Sequence, residues 1–392
     1  MESWPLLRLT ELHAQLRGWL IYAACPLWQA RGVDAVGGGF EETLDADALP
    51  LHEARRARVQ PRQVHAFAQA ATLGWSGDAE TIGRRGMEHF CRVYQREDGL
   101  FRTLASASGA PLDDRALLYD QAFALLGFSA AAGAPRARLA QEARALQLRA
   151  AIEQQFSAAG GGYLSEAGVL DVRESNPHMH LLEACLSWAE IGADESWQRC
   201  VADLLALALD RMVRKDSGAI GETYTTEWLP VPEAAGRRIE PGHQFEWAWL
   251  LMRSGHRHDP RCVPVALRLI EIAETRGVHD GYAVNALNDD FTVLDAGARL
   301  WPQTERLKAT ALAATITGVE SYLHSARQAA ECLLQYLGTK TPGLWFDLRL
   351  ASGEFVPGCS PASSFYHLVS AISALDGALT RHHSSRLRNG ST

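Results

Sequence analysis

A glycine followed closely by an aromatic or other bulky apolar residue recurs six times along this chain of 392 residues, at nearly even spacing. It occurs at Gly39-Phe40, Gly99-Leu100-Phe101, Gly162-Tyr163, Gly221-Glu222-Thr223-Tyr224, Gly281-Tyr282 and Gly343-Leu344-Trp345, with the rings 61, 62, 61, 58 and 63 residues apart. A repeat of this size is one supersecondary unit that cannot bury its apolar face alone, so neighbouring units must stack. Six such units fill the chain, and that number restricts the fold more than any single motif does.

Each marker opens a loop rich in Gly, Asp, Ser and Pro, and a helical stretch follows it. These stretches begin with a polar ring or a charge and continue apolar on nearly every side, as in Tyr119-Asp-Gln-Ala-Phe-Ala-Leu-Leu, His180-Leu-Leu-Glu-Ala-Cys-Leu and His243-Gln-Phe-Glu-Trp-Ala-Trp. Helices apolar all round are buried helices. A second, amphipathic stretch precedes the next marker, for example Arg138-Leu-Ala-Gln-Glu-Ala-Arg. One inner and one outer helix per unit, six times over, predicts an all-α (α/α)6 barrel forming a single domain over residues 1–392, the last dozen or so a tail. An open solenoid is the alternative, but neither end reads as a polar cap. In a closed barrel all inner-helix N-termini point to one end, so Arg62, Tyr119, Asp120, His180, His243 and His367 are expected to ring one pocket. The helix dipoles add positive potential there.

Composition removes other classes. Hydrophobic residues make up 47% and charged residues 21%, a globular balance. The 38 Lys and Arg are scattered among 46 Asp and Glu, for a net charge of −8, so no footprint for nucleic acid is present. No apolar run reaches the roughly 18 residues of a membrane span. Seven dispersed cysteines without a C-x-x-C pair fit reduced thiols rather than a disulfide framework or zinc knuckle, which suggests a cytoplasmic protein.

Three histidines at one point of three repeats suit acid–base chemistry near neutral pH. His180 and His243 are each followed three residues later by a carboxylate, Glu183 and Glu246, close enough on a helix to orient the imidazole. H-E-x-x-H is absent and the His-x-x-Glu order reverses that of di-iron bundles, so no metal is expected. Trp228, Trp301, Trp345, Phe346, Asp347 and Tyr366 crowd the same loops, as a carbohydrate pocket would require. An inverting glycosidase would use two carboxylates from Asp120, Glu183, Glu246 and Asp347, but three histidines are surplus to that mechanism. A non-catalytic sugar-binding role is the other alternative.

The strings Gln60-Pro-Arg62-Gln63, Leu118-Tyr119-Asp120, Asn176-Pro-His178-Met179-His180-Leu-Leu-Glu183, Pro241-Gly242-His243-Gln-Phe-Glu246, Trp301-Pro-Gln303-Thr-Glu305 and Phe365-Tyr366-His367 come in an order that resembles the N-acylglucosamine 2-epimerase superfamily. That resemblance implies an (α/α)6 barrel and cofactor-free proton transfer at C2 of an open-chain sugar. It makes His243 and His367 the acid/base pair and Glu246 the group orienting His243. Arg62 would stabilise the enediolate, and His180 would assist ring opening or bind a hydroxyl. Substrate-binding candidates are Tyr119, Asp120, Asn176, Glu183 and Arg238 in the first two thirds of the chain, and Trp301, Gln303, Glu305, Trp345 and Asp347 in the last. Trp247 after Glu246, and Leu368-Val369-Ser370 after His367, resemble the mannose isomerase branch. Aldose–ketose isomerisation of a mannose-like sugar through a cis-enediolate is therefore expected, with 2-epimerisation of an N-acylglucosamine or cellobiose type as the alternative. The enzyme is expected to act as a monomer or homodimer on a small carbohydrate.

Overall fold

The computed structural model describes residues 4–133, 135–169 and 172–389. Helix α1 (Trp4–Trp19) runs through a π-helical turn at Leu20–Ala24 into α2 (Cys25–Arg31), and together they form one outer rod. Inner and outer helices then alternate. The inner ones are α3 (Val59–Thr72), α5 (Leu118–Ala131), α7 (Ser175–Glu190), α10 (Pro241–Ser254), α12 (Leu300–Thr317) and α14 (Ala362–Asn389). The outer ones are α4 (Ala79–Tyr94), α6 (Pro135–Phe156), α8 (Ser196–Leu207), α11 (Cys262–Arg276) and α13 (Glu320–Tyr336), and the short α9 (Glu233–Arg237) lies in a loop.

The inner helices form a closed ring: α3 packs on α5, α5 on α7, α7 on α10, α10 on α12, α12 on α14, and α14 returns to α3. On the outside α1 packs against both α13 and α14, so the first helix of the chain completes the last unit. This is the closed barrel and not the open solenoid. Residues 381–389 of the expected tail continue α14, and residues 390–392 lie outside the described residues.

The burial of each ring follows its sequence. In α5, Leu118 and every residue from Asp120 to Phe128 are buried, as an all-round apolar helix demands. Outer helix α4 instead buries Ile82, Met87, Phe90 and Tyr94 and turns Glu80, Arg84 and Glu88 to solvent. It starts where the Asp78 carboxylate accepts the Thr81 N–H at 3.0 Å. Inner helix α12 stops where Gly318 takes φ +70°, a conformation that glycine adopts without strain.

One device repeats with the sixty-residue period. Near the start of the inner helix a buried glutamine reaches back and pairs with both backbone groups of the loop that opens the unit. Gln60 does this with Phe40 (2.8 and 3.0 Å), Gln121 with Phe101 (2.8 and 2.8 Å), Gln244 with Ile220 (2.8 and 2.8 Å) and Gln303 with Ala283 (2.8 and 2.8 Å). In the third unit His178 accepts the Tyr163 N–H, and in the sixth Ser360 pairs with both groups of Trp345. Each clamp satisfies polar groups that would otherwise be buried unpaired.

The loops also join sideways, unit to unit. Arg55–Arg56 pairs with Leu104–Ala105, Leu117 bridges Glu166, and Arg173–Glu174 pairs with Thr223–Tyr224. Ile239 bridges Leu287, Ala298–Arg299 pairs with Leu348–Arg349, and Thr43 and Leu44 pair antiparallel with Pro361 and Ser360 to join the first unit to the sixth. These two-residue strands form a collar around the N-terminal end of the inner ring. Among the described residues no helix is long and apolar enough to cross a membrane, and all seven cysteines are free.

Candidate active site

The collar surrounds a cavity of about 450 Å³ to which all six inner helices contribute: Arg62 from α3, Tyr119 from α5, Asn176 and His180 from α7, His243 and Glu246 from α10, Trp301 from α12, and Ser363, Ser364 and His367 from α14. The loops add Arg56, Arg58, Glu240, Arg299 and Asp347. The convergence expected from the repeat is realised, because each of these helix residues lies within two turns of its helix start.

Two histidines flank the Trp301 ring, whose centroid is 5.0 Å from that of His243 and 5.7 Å from that of His367. Both hold a carboxylate through Nδ1, which leaves Nε2 for the cavity. The His243 partner is Glu222 at 2.7 Å, with Glu240 a further 3.9 Å contact. Burial alone would lower the His243 pKa, but Glu222 and Glu240 override it and lift it to about 9, so this imidazole is protonated at neutral pH. The His367 partner is Glu305 at 2.8 Å. Here burial wins: the pKa lies below that of a free histidine despite Glu305, with Arg62 and Lys308 adding to the lowering. One site thus holds a cationic and a neutral imidazole side by side.

His180 is packed between Tyr119 and Phe123, its Nδ1 3.2 Å from Glu183. Burial lowers its pKa to about 4, so it too is neutral. Arg62 lies 3.9 Å from the Phe123 ring centroid and donates to the Tyr119 hydroxyl at 2.6 Å. Among the described residues no carboxylate forms an ion pair with Arg62, and its guanidinium lines the cavity.

Three buried acidic side chains stand at the cavity floor, Glu246 in its wall and Glu183 and Glu305 beneath it. Glu183 accepts from the Tyr366 hydroxyl at 2.5 Å, and although burial would raise its pKa, His180 and Lys308 hold it well below the usual carboxylate range. Glu246 is pushed well above that range by burial and by Glu305, so it is a neutral carboxylic acid at the cavity wall. Donor atoms of His180, Glu183 and Glu246, and of Glu246, Glu305 and His367, lie within 4.8 Å of one another, a spacing that a metal ion could bridge. The Lys308 ammonium already stands among these carboxylates, 2.6 Å from Glu305, and supplies the positive charge there.

The structure therefore corrects several expectations. Glu246 does not orient His243; Glu222 does, and Glu246 Oε1 instead lies 3.9 Å from His180. Gln303 is fully buried and spends its amide on the loop clamp, so it does not reach the cavity. Trp345 is core, stacked on Trp28 at 5.0 Å. Trp228 packs on the rim against His178. Asp120, fully buried, holds Arg58 at 3.3 Å from behind the wall. Glu183 and Glu305 act on histidines from below rather than lining the cavity. Arg238 pairs with Glu240 at 2.9 Å, and Arg237 binds Asp289 and Asp290 away from the cavity. Tyr119, Asn176, Trp301 and Asp347 stand at the wall as expected.

The sequence reading missed Glu222, Glu240, Arg58, Arg299 and Lys308. Lys308 sits three residues from Glu305 on the same helical face, and Glu240 stands just before α10 three residues ahead of His243, so that spacing could have flagged both. Glu222 stands inside a repeat marker, but no local spacing links it to a histidine 21 residues on.

Residues 38–371 match the family model described as N-acylglucosamine 2-epimerase (GlcNAc 2-epimerase). A protein of Rhizobium meliloti (strain 1021) named mannose-6-phosphate isomerase is 42% identical over 383 residues, covering 95% of this chain and 99% of that protein. A D-mannose isomerase of Marinomonas mediterranea is 25% identical over 370 residues, covering 86% of this chain and 91% of its own. The solved structure of cellobiose 2-epimerase from Bacillus thermoamylovorans B4167 superposes with a TM-score of 0.82 at 19% identity, covering 94% of this chain and 99% of that one, and so shares the barrel. By the extent of the family match and of the 42% relative, the chain belongs to the N-acylglucosamine 2-epimerase family.

Proposed function

We propose that this enzyme interconverts mannose and fructose, and the observation that carries the reading is the pair of imidazoles on either side of Trp301, each held at Nδ1 by a carboxylate, in one cavity with Arg62. Neutral His367 takes the C2 proton through Nε2 while protonated His243 gives its Nε2 proton to O1, and the Arg62 charge offsets the negative charge that grows on oxygen. His367 then returns its proton to C1, and the O2 proton passes back to His243. Both imidazoles end as they began, so no cofactor is needed. Neutral His180 and the Glu246 acid are placed to bind hydroxyls of the open-chain sugar, and Trp301 to cover it.

Relatives named for mannose or mannose 6-phosphate isomerisation support the isomerase branch. Epimerisation at C2, the activity in the family's name, is the alternative product of the same proton abstraction. The charges at the mouth favour an unphosphorylated sugar. Arg56 is paired with Glu42, Arg58 with Asp120 and Arg299 with Glu240, so these three cations at the wall are already compensated. A phosphate would have to displace one of these pairs or occupy Arg62, the cation that the proton transfer itself uses. Free thiols agree with a reducing, cytoplasmic setting, and a monomer or homodimer completes the reading.

Initial rates with mannose, mannose 6-phosphate, N-acetylmannosamine and cellobiose test the proposal on EDTA-treated enzyme. Fructose from mannose, at a kcat/KM above that for the phosphate ester, is the expected result. Glucose without fructose would move the enzyme to the epimerase branch, and a preference for the ester would reverse the argument from the mouth.

A further inference from the structure

The two working histidines are built alike on one side and differently on the other. Each Nδ1 meets a carboxylate, Glu222 for His243 and Glu305 for His367. Behind Glu222 a second carboxylate, Glu240, adds to the negative field on His243. Behind Glu305 stands a cation: Lys308 Nζ lies 2.6 Å from Glu305 Oε2, while Glu305 Oε1 lies 2.8 Å from His367 Nδ1. Lys308 is fully buried on α12 and faces the Trp249 ring of α10 at 4.0 Å. The charged groups that act on it are Glu305 from its own helix, Glu246 from α10 and Glu183 from α7. His367 faces Glu305 and Lys308 from α12, Glu246 from α10, Arg62 from α3, His180 from α7 and Tyr366 of its own helix. An ammonium buried under a reaction centre is costly unless it serves a partner, and nothing in the proton transfers themselves uses it.

We propose that Lys308 is a positioning residue for His367: it shares Glu305 with that imidazole, so that Glu305 holds the ring by a hydrogen bond without imposing an uncompensated negative charge on it. The asymmetry between Glu240 behind one pair and Lys308 behind the other is then what divides two similar His–carboxylate units into an acid and a base. The inference rests on His367 as the base of the proposed reaction, and it names a group that works with burial and Arg62 to keep that base unprotonated.

The test is Lys308→Met, which keeps the length of the side chain and removes its charge. With Glu305 left uncompensated, the acid limb of the kcat/KM profile should move up by about one pH unit, while the basic limb, set by His243, stays in place. NMR titration of His367 in enzyme carrying labelled histidine should show the same upward displacement. Activity lost with both limbs and the His367 titration unmoved would make Lys308 a structural residue only and overturn the proposal, as would an unchanged enzyme. Should K308M fail to fold, K308M/E305Q removes both charges of the pair together and leaves Glu183 with its hydrogen bonds to His180 and Tyr366. Its acid limb is expected within about half a unit of wild type, because two charges that cancel have gone, and a displacement of about one unit or more would contradict the proposal. Failure of the wild type to convert any sugar would strike the functional reading, whereas the His367 titration tests Lys308 without turnover.

Discussion

At the residue scale the site turns on what lies behind each imidazole. Removing either ring, as in His243→Ala or His367→Ala, is expected to lower kcat/KM by roughly 10²–10⁴-fold, the usual contribution of a positioned acid or base. The profile of kcat/KM should be bell-shaped, rising as His367 loses its proton below the ordinary histidine value and falling as His243 loses its own near pH 9. Glu222→Gln removes the first charge that holds His243 protonated, so its basic limb should move to lower pH while the acid limb stays. The same group ties folding to pH. The folded pKa of His243, about 9, lies above its unfolded value, so the stability it contributes is complete below about pH 6.5. That stability is lost as the pH rises through 9. Urea midpoints should fall over that interval in the wild type and fall less in E222Q. His180 runs the other way: with a folded pKa of about 4 its contribution is present above about 6.5 and lost on acidification. The residue types of this chemistry were legible in the sequence, since histidines recur at one point of three repeats, although His178 in the same stretch serves the loop clamp instead. Their partners were not, because Glu222 reaches His243 through the loop and Glu305 reaches His367 from a neighbouring helix. Helical spacing sees only same-helix pairs, which is why it gave Glu246 a role that Glu222 fills.

At the scale of elements, a repeated glutamine does what a sequence reading took for ligand binding. Gln303 falls in a string shared with the family and next to Trp301, yet its three hydrogen bonds all go to backbone, two to Ala283 and one to Arg299. Its counterparts Gln60, Gln121 and Gln244 show that the position belongs to the fold. Gln303→Ala leaves a buried N–H and a buried C=O without partners, each costing about 1–3 kcal/mol, and denaturant unfolding should register a loss of that order. A ligand-binding side chain would instead raise KM and spare stability. Gly242 marks another element-level requirement. A Cβ there would lie 2.5 Å from the Trp301 ring, so α10 can bring His243 beside that ring only with glycine ahead of it. Gly242→Ala should displace Trp301 and depress activity more than stability, as read by kcat/KM against the urea midpoint. The glutamines were visible in the quoted strings, but the backbone groups they satisfy lie about twenty residues upstream and become apparent only once the loop is folded.

For the whole molecule, the count of six repeats carried the architecture, because six inner helices close a ring and place their N-termini around one cavity. The seam is where the chain's ends meet. Thr43 and Leu44 pair with Pro361 and Ser360, Gln63 donates to Ala362 at 2.6 Å, and Trp28 stacks on Trp345 while donating to the Gly343 carbonyl. Trp28→Ala should cost about 3–5 kcal/mol and destabilise the entire ring in one transition, since no unit can keep its core once the circle opens. What the repeat could not show is the collar of two-residue strands, whose pairing depends on loops of low periodicity. Trp345 illustrates the loss: as a marker it was read correctly for period and wrongly for place, because a ring beside a loop glycine serves a seam or a pocket equally well. The claim that joins all three scales is that the closed ring sets a neutral His367 and a protonated His243 around one sugar carbon. Proton NMR of D-mannose in D2O with EDTA-treated enzyme tests it most directly, comparing wild type with H367A and H243A. The account predicts fructose from the wild type and a rate lower by roughly 100-fold or more in each variant. Undiminished conversion by H367A, or neither fructose nor exchange at C2 with the wild type, would contradict it.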